Sequence, residues 1–396
     1  MVGLATALQL LRARPSLAVA VVDAEDRVAA HQSGNNSGVV HAGVYYAPGS
    51  LKARLCREGR SELIAFAAER GIPYRQGGKL IVAVRPAEHP RLDDLHRRAE
   101  QNGLEGLELI GGAELRAIEP HAAGDRALHV PETGVIDFAA VTAAYADAVG
   151  ELGGTVQLGW PVTALSRQGK GWRLASRGRT LGARAVIACA GLGADRLRRL
   201  AGAADDEYRV VPFRGSYHHV VAPADELVRS MIYPVPDPRL PFLGVHFTRG
   251  VGGDVHVGPN AVLALGLREA PAALRFPGLR RLMRRYARAG AGELWRDNVR
   301  SAFVRQARHY LPELTAGDLT PGTSGVRAQY VARDGSLVDD FLIREGDEAG
   351  EAHAGDERAA RGSILHVLNT PSPAATASLA IGRMVAERAI DRFGLR

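Results

Sequence analysis

Asp23 closes the apolar run Leu17-Ala-Val-Ala-Val-Val22, and that run follows a helical stretch whose first glycine is Gly3. Residues 2–13 set Val2, Leu4, Ala5, Ala7, Leu8, Leu10 and Leu11 at helical spacing, and Pro15 stops the helix. Residues 17–22 read as a buried parallel strand, because a strand covered on both faces is continuously apolar. Helix, strand and acid in that order form the second half of a dinucleotide-binding βαβ unit. In the whole unit a first strand runs into Gly-x-Gly-x-x-Gly. The backbone there meets a pyrophosphate at the helix N-terminus, and an acid about 20 positions on accepts the ribose hydroxyls. Gly3 fits the last glycine and Asp23 the ribose acid; the first strand and two glycines would lie before Met1. That strand is central in a doubly wound sheet, so a chain without it is expected to leave two strand edges unpaired.

The loop His31-Gln-Ser-Gly-Asn-Asn-Ser-Gly-Val-Val-His-Ala-Gly43 is rich in small polar residues, as close backbone approach to a ligand requires. A helix over about 51–70 ends at Gly71, and 79–84 is a strand. Residues 88–117 read as mostly helical, 134–137 as a turn and short strand, and 138–152 as a helix. A β-meander over 155–189 ends in the buried strand Ala183–Cys189, which runs into Ala190-Gly191-Leu192-Gly193. Residues 209–265 are strand-rich and 272–315 helical. From Gly322 the chain returns to strands, then closes with a helix beginning near Ser372 to Ala375. Residues 346–362 read as a disordered surface insertion.

Composition excludes several classes. Only Cys56 and Cys189 are present, with no metal-ligand spacing or disulfide framework, so a reducing cytoplasm is expected. The net charge of +7 is carried by arginine, since lysine occurs only at 52, 79 and 170. The basic residues are scattered, which argues against nucleic acid. No run reaches about 18 apolar residues and no secretory signal opens the chain. Peripheral contact with the inner face of the cell membrane stays open.

The chain resembles the L-2-hydroxyglutarate oxidase/dehydrogenases, within the D-amino-acid-oxidase-like flavoproteins. The resemblance rests on Val2-Gly-Leu-Ala-Thr-Ala7, on 31–46 with Pro48-Gly-Ser-Leu-Lys-Ala-Arg-Leu-Cys56, and on Gly77-Gly-Lys-Leu-Ile81. Pro212-Phe-Arg-Gly215, Tyr233-Pro-Val-Pro236, Leu243-Gly-Val-His-Phe-Thr248 and Gly325-Val-Arg-Ala-Gln329 continue it, and His366-Val-Leu-Asn-Thr-Pro-Ser-Pro-Ala-Ala-Thr376 ends it. It implies an α/β fold: a Rossmann-like FAD-binding domain, first strand missing, with an interleaved α+β substrate domain on a mostly antiparallel sheet. The FAD-binding parts are expected at 1–82, 138–208 and 322–396, and the substrate parts at 83–137 and 209–321.

The implied reaction is FAD-dependent oxidation of L-2-hydroxyglutarate to 2-oxoglutarate, with electrons passed to a quinone or oxygen. A sister flavoprotein acting on glycerol 3-phosphate or an amino acid is an alternative, and so is a truncated chain that does not bind FAD. Gly3, Asp23, Ser33, Gly34, Ser37, Gly38, Gly191, Asn369, Pro371, Ser372 and Ala374 are the expected cofactor residues. A small anionic 2-hydroxy acid calls for bidentate cations, first Arg327 and then Arg214, with Tyr217 and Tyr233 as hydrogen-bond partners. For the base, histidine has the suitable pKa range; His41 ranks first and His246 second. His218 and His219, adjacent in a strand, point to opposite faces.

Overall fold

The computed structural model describes residues 1–203, 207–239, 243–264, 266, 270–346 and 363–395. The insertion expected at 346–362 therefore lies, Gly346 apart, outside the described residues.

The first helix, Val2–Ala13, is apolar on nearly every side and is buried accordingly. Leu4, Leu8 and Leu11 pack with Leu63 and Phe66 of the helix Leu51–Glu69, Tyr145 and Val149 of the helix Phe138–Glu151, and Leu379. Leu10 faces the last helix, Ser378–Phe393, through Ile381 and Val385. That last helix starts later than expected, because residues 372–377 form a run of turns that leads into it.

The strands beneath these helices form two separate patches. Ala20–Val22 pairs in parallel with Thr155–Gln157. Val186–Ala188 pairs in parallel with Ile364–Asn369, which takes Leu342–Glu345 on its other side. Ala20–Val22 and Val186–Ala188 thus each present one edge with no strand partner among the described residues. The strand expected over 17–22 is correspondingly short: Ala20 is exposed and Val21 and Val22 are half-buried. A strand paired on one side cannot reach the full burial that its apolar run suggests. The meander is present as Ala164–Gln168, Gly171–Ser176 and Arg179–Ala183, closed over Trp160 and Trp172.

A larger, mostly antiparallel sheet makes up the other half. Tyr208–Val220 and Leu319–Ala332 pair from Tyr208↔Ala332 to Val220↔Leu319, with an irregularity between Ser216 and His218. Val255–Gly258, His246–Arg249 and Met231–Pro234 follow in order. Met231–Pro234 is parallel to Lys79–Ala83, which pairs with Arg126–Val130 and through it with Glu108–Gly111. Lys79–Ala83 and Leu319–Ala332 carry this sheet across the boundaries expected at 82 and 321. Glu108–Gly111 is a strand inside a stretch that reads as helical. One face packs on helices: Leu80, Val82 and Phe247 meet Phe303 and Val304. On the other, Ile81, Ala83 and Tyr233 meet Val39, Ala42 and Val44 of the Gly/Asn/Ser-rich loop. With a side-chain period of two, Lys79 points to this second face.

Candidate active site

The loop at 31–43 is fixed by its own asparagines. The Asn35 amide donates to the carbonyls of Ala30 and His31, and the Asn36 amide to those of Gln32 and Ser33. Asn36 Oδ1 accepts the Gly38 N–H at 2.8 Å. Gly38 has φ of +70°, and a Cβ there would lie 2.8 Å from the Ile136 carbonyl oxygen, so only glycine suits the position. With the asparagines engaged internally, Ser33, Gly34, Ser37 and Gly38 line a cleft of about 320 Å³. Asp137, Phe138, Asp254 and His256 line it too.

Three cofactor positions converge at the start of the first helix. A Cβ on Gly3 would touch the Cys189 Cβ at 3.4 Å. The Met1 ammonium feels both Asp23 and the Cys189 thiol, and burial pushes its pKa down. Gly191, two residues past Cys189, adopts φ of +51°. Asp23 remains exposed, and its carboxylate accepts the Glu25 N–H at 3.0 Å. No acidic residue occupies the first helical turn. Unobstructed helix N–H groups, an acid at one strand end and a glycine at the other suit a dinucleotide. The residue types at Gly3, Gly191 and Asp23 are compatible with FAD. Asn369, at the end of the strand Ile364–Asn369, is fully buried and its amide donates to the carbonyls of Val338 and Asp340.

The catalytic candidates gather between the loop and the second face of the large sheet. The His41 N–H donates to Thr376 Oγ1 at 3.0 Å, its carbonyl accepts the Cys56 thiol at 3.2 Å, and its Nε2 lies 3.2 Å from Ser372 Oγ. Loop and C-terminal turn are thus joined at the imidazole, with Pro371 and Ala374 bracketing Ser372 in the turn. His246 Nδ1 lies 2.9 Å from the Gly244 carbonyl, which fixes Nδ1 as the donor and leaves the Nε2 lone pair available. Its ring stacks on Tyr233. Burial, with Lys79 adding to it, pushes both histidines down to about 3, so both are neutral. Tyr233 Oη lies 3.5 Å from Thr248 Oγ1, Ser37 acts on the phenols of both Tyr217 and Tyr233, and Arg327 acts on that of Tyr217. Ser37 of the loop therefore lies near two tyrosines of the sheet.

Arg214 does not join this group. Arg327 lies opposite Phe213 in the register, and residues opposite one another share a face. Arg214, one residue on, points to the other face, where it pairs with Asp297 at 2.5 Å. Asp297 also accepts the Asn260 amide at 2.5 Å. His218 and His219 do point apart: His218 packs on Phe303, while His219 lies beside His256.

Sequence reasoning passed over Lys79 and Tyr45, which lie beside Tyr233. The Lys79 Nζ lies 4.5 Å from the Tyr45 ring centroid and 4.9 Å from that of Tyr233. Burial pushes Lys79 down to about 7. The signal was the rarity of lysine. In a chain that otherwise uses arginine, two of its three lysines, Lys52 and Lys79, are buried.

This fold is that of a flavin-dependent oxidoreductase. The chain matches the FAD dependent oxidoreductase family over residues 1–388 and belongs to it. It is 43% identical to L-2-hydroxyglutarate dehydrogenase, mitochondrial, of Nematostella vectensis, covering all of this chain and 89% of that protein. Identity to the L-2-hydroxyglutarate dehydrogenase of Indibacter alkaliphilus is 41%, over 99% of this chain and 97% of that one. Among solved structures, the FAD-bound L-alpha-glycerophosphate oxidase of Mycoplasma pneumoniae shares the fold. Its TM-score is 0.75 at 22% identity, over 98% of this chain and 93% of that one. FAD is the cofactor. No helix among the described residues is long and apolar enough to cross a membrane.

Proposed function

We propose that the protein oxidises L-2-hydroxyglutarate to 2-oxoglutarate. The observation that carries this reading is the end-to-end similarity to dehydrogenases of that name, at 43% identity. Bound FAD supplies the two-electron acceptor that takes the hydrogen from the substrate's α-carbon.

The chain's own residues hold the substrate and move one proton. Arg327, supported by Tyr217, receives the carboxylate next to the hydroxyl, where a planar guanidinium gives two parallel hydrogen bonds. His41 takes the hydroxyl proton at Nε2. A neutral imidazole is the state a base needs, and the arriving carboxylate raises its proton affinity. Ser372, at 3.2 Å, orients that nitrogen. The reduced enzyme passes its electrons to a quinone or to oxygen, and reaches a quinone by peripheral contact with the membrane.

The test is the absorbance of the purified protein before and after anaerobic addition of L-2-hydroxyglutarate. Loss of the flavin bands with formation of 2-oxoglutarate is expected. Bleaching by glycerol 3-phosphate or an amino acid, with L-2-hydroxyglutarate inert, would overturn the reading.

A further inference from the structure

Lys79 has the surroundings of a residue that waits for an anion. It is 2% exposed and stands at the start of a strand inside the large sheet. Two aromatic rings, Tyr45 and Tyr233, flank its ammonium. Among the described residues no carboxylate pairs with it. Cys56 is the group that favours its charge, and that thiol, pushed up to about 12, is itself neutral. Lys52, the chain's other buried lysine, shows the contrast: its Nζ donates to Asp339 at 2.8 Å. A buried ammonium with only ring faces for company is costly to keep charged, and a ligand carboxylate would offset that cost.

The position of Lys79 relative to the reacting groups is informative. His246 feels both Arg327 and Lys79, and His41 feels Lys79. Lys79 lies over the Tyr233 ring that stacks on His246, and Arg327 acts on the same imidazole. A five-carbon diacid carries its carboxylates at opposite ends with the reacting carbon next to one of them. Arg327 answers the near carboxylate and leaves Lys79 for the far one.

We propose that Lys79 receives the carboxylate farthest from the hydroxyl-bearing carbon, and so selects dicarboxylic over monocarboxylic 2-hydroxy acids. This rests on the substrate class given above. Tyr45 and Tyr233 hold the ammonium on the face of the sheet that meets the loop, and exclude water around it. An anion there gains an undiluted charge-assisted hydrogen bond.

The test compares L-2-hydroxyglutarate with L-2-hydroxyvalerate, which has a methyl group where the far carboxylate stands. Lys79→Met should lower kcat/KM for the diacid by about 10–100-fold, the loss of one hydrogen bond to a charged group. It should leave kcat/KM for the monoacid within about threefold, and Lys79→Arg should recover part of the diacid rate. An equal fall for both substrates would assign Lys79 to proton transfer or to structure, and overturn the proposal; no fall for either would also overturn it. Binding of glutarate, an unreactive diacid, read as a perturbation of the flavin absorbance, needs no turnover. Glutarate binding tighter than butyrate binding in the wild type, and lost in Lys79→Met, upholds the proposal even where L-2-hydroxyglutarate is not oxidised. Should Lys79→Met not retain flavin, equal affinity of the wild type for glutarate and butyrate overturns it.

Discussion

Tyr233 stacks on His246 with ring centroids 4.0 Å apart and planes inclined by 26°. The same tyrosine ring carries the Lys79 ammonium and its hydroxyl reaches Ser37 and Thr248. One side chain thereby sets the spacing between a cation, an imidazole and the loop at 31–43. Its removal should disturb all three, whereas changes at the individual groups should separate their roles.

His41→Ala should slow substrate-dependent flavin reduction by about 10²–10⁴-fold, the range of a general base. His246→Ala should cost less and act mainly on KM. Stopped-flow absorbance measures both; near-normal reduction in His41→Ala would remove His41 as base.

Arg327→Lys should lower kcat/KM for L-2-hydroxyglutarate by about 10–100-fold at unchanged flavin content, because a lysine cannot form the two parallel bonds. Arg214→Gln breaks a half-exposed ion pair with Asp297 and should stay within about threefold of the wild type. Steady-state kinetics on the two variants side by side checks the assignment.

The affinity for glutarate should depend on pH through Lys79, which titrates at about 7 in the free enzyme. Below that pH the ammonium is charged and binding is tightest. Above it the site must take up a proton to bind, and the dissociation constant should rise by up to about tenfold per pH unit. The facing groups stay silent between pH 6 and 8.5: His41 and His246 titrate near 3, Cys56 near 12, and Tyr45 and Tyr233 lie above their ordinary range. Titrations at pH 6 and 8.5 decide it; equal constants would contradict it.

Gly382→Ala should lower stability. The added Cβ would lie 2.7 Å from the Ala5 carbonyl carbon. Overpacking of this kind costs about 1–3 kcal/mol, or roughly 2–4 °C in Tm for each kcal/mol. Thermal unfolding followed by circular dichroism measures it.

The fold was legible where local pattern and burial agree. The first helix spans Val2–Ala13, as its apolar spacing requires, and the loop glycines lie where the backbone turns. The strand at 17–22 was overread because its burial depends on a neighbour that no local pattern reveals. Membership of Lys79–Ala83 in the large sheet was equally invisible, since its partners Met231–Pro234 and Arg126–Val130 are remote in sequence. For the site, His41, Ser37, Tyr217, Tyr233, His246, Arg327 and Ser372 come together. Arg214 falls away because one step along a strand reverses the face. Lys79 was overlooked because a cation inside an apolar strand reads as a flaw until its surroundings are seen.

The first and last helices meet backbone to backbone where Gly382 faces Ala5. That contact joins two residues that lie far apart in the sequence. During synthesis the side of the first helix that carries Leu10 must wait, uncovered, until residues 378–393 have been translated. The large sheet can close earlier, once residue 332 has emerged. Folding is thus ordered in time: the large sheet can form on its own, whereas the helical half closes only when the helix Ser378–Phe393 is present.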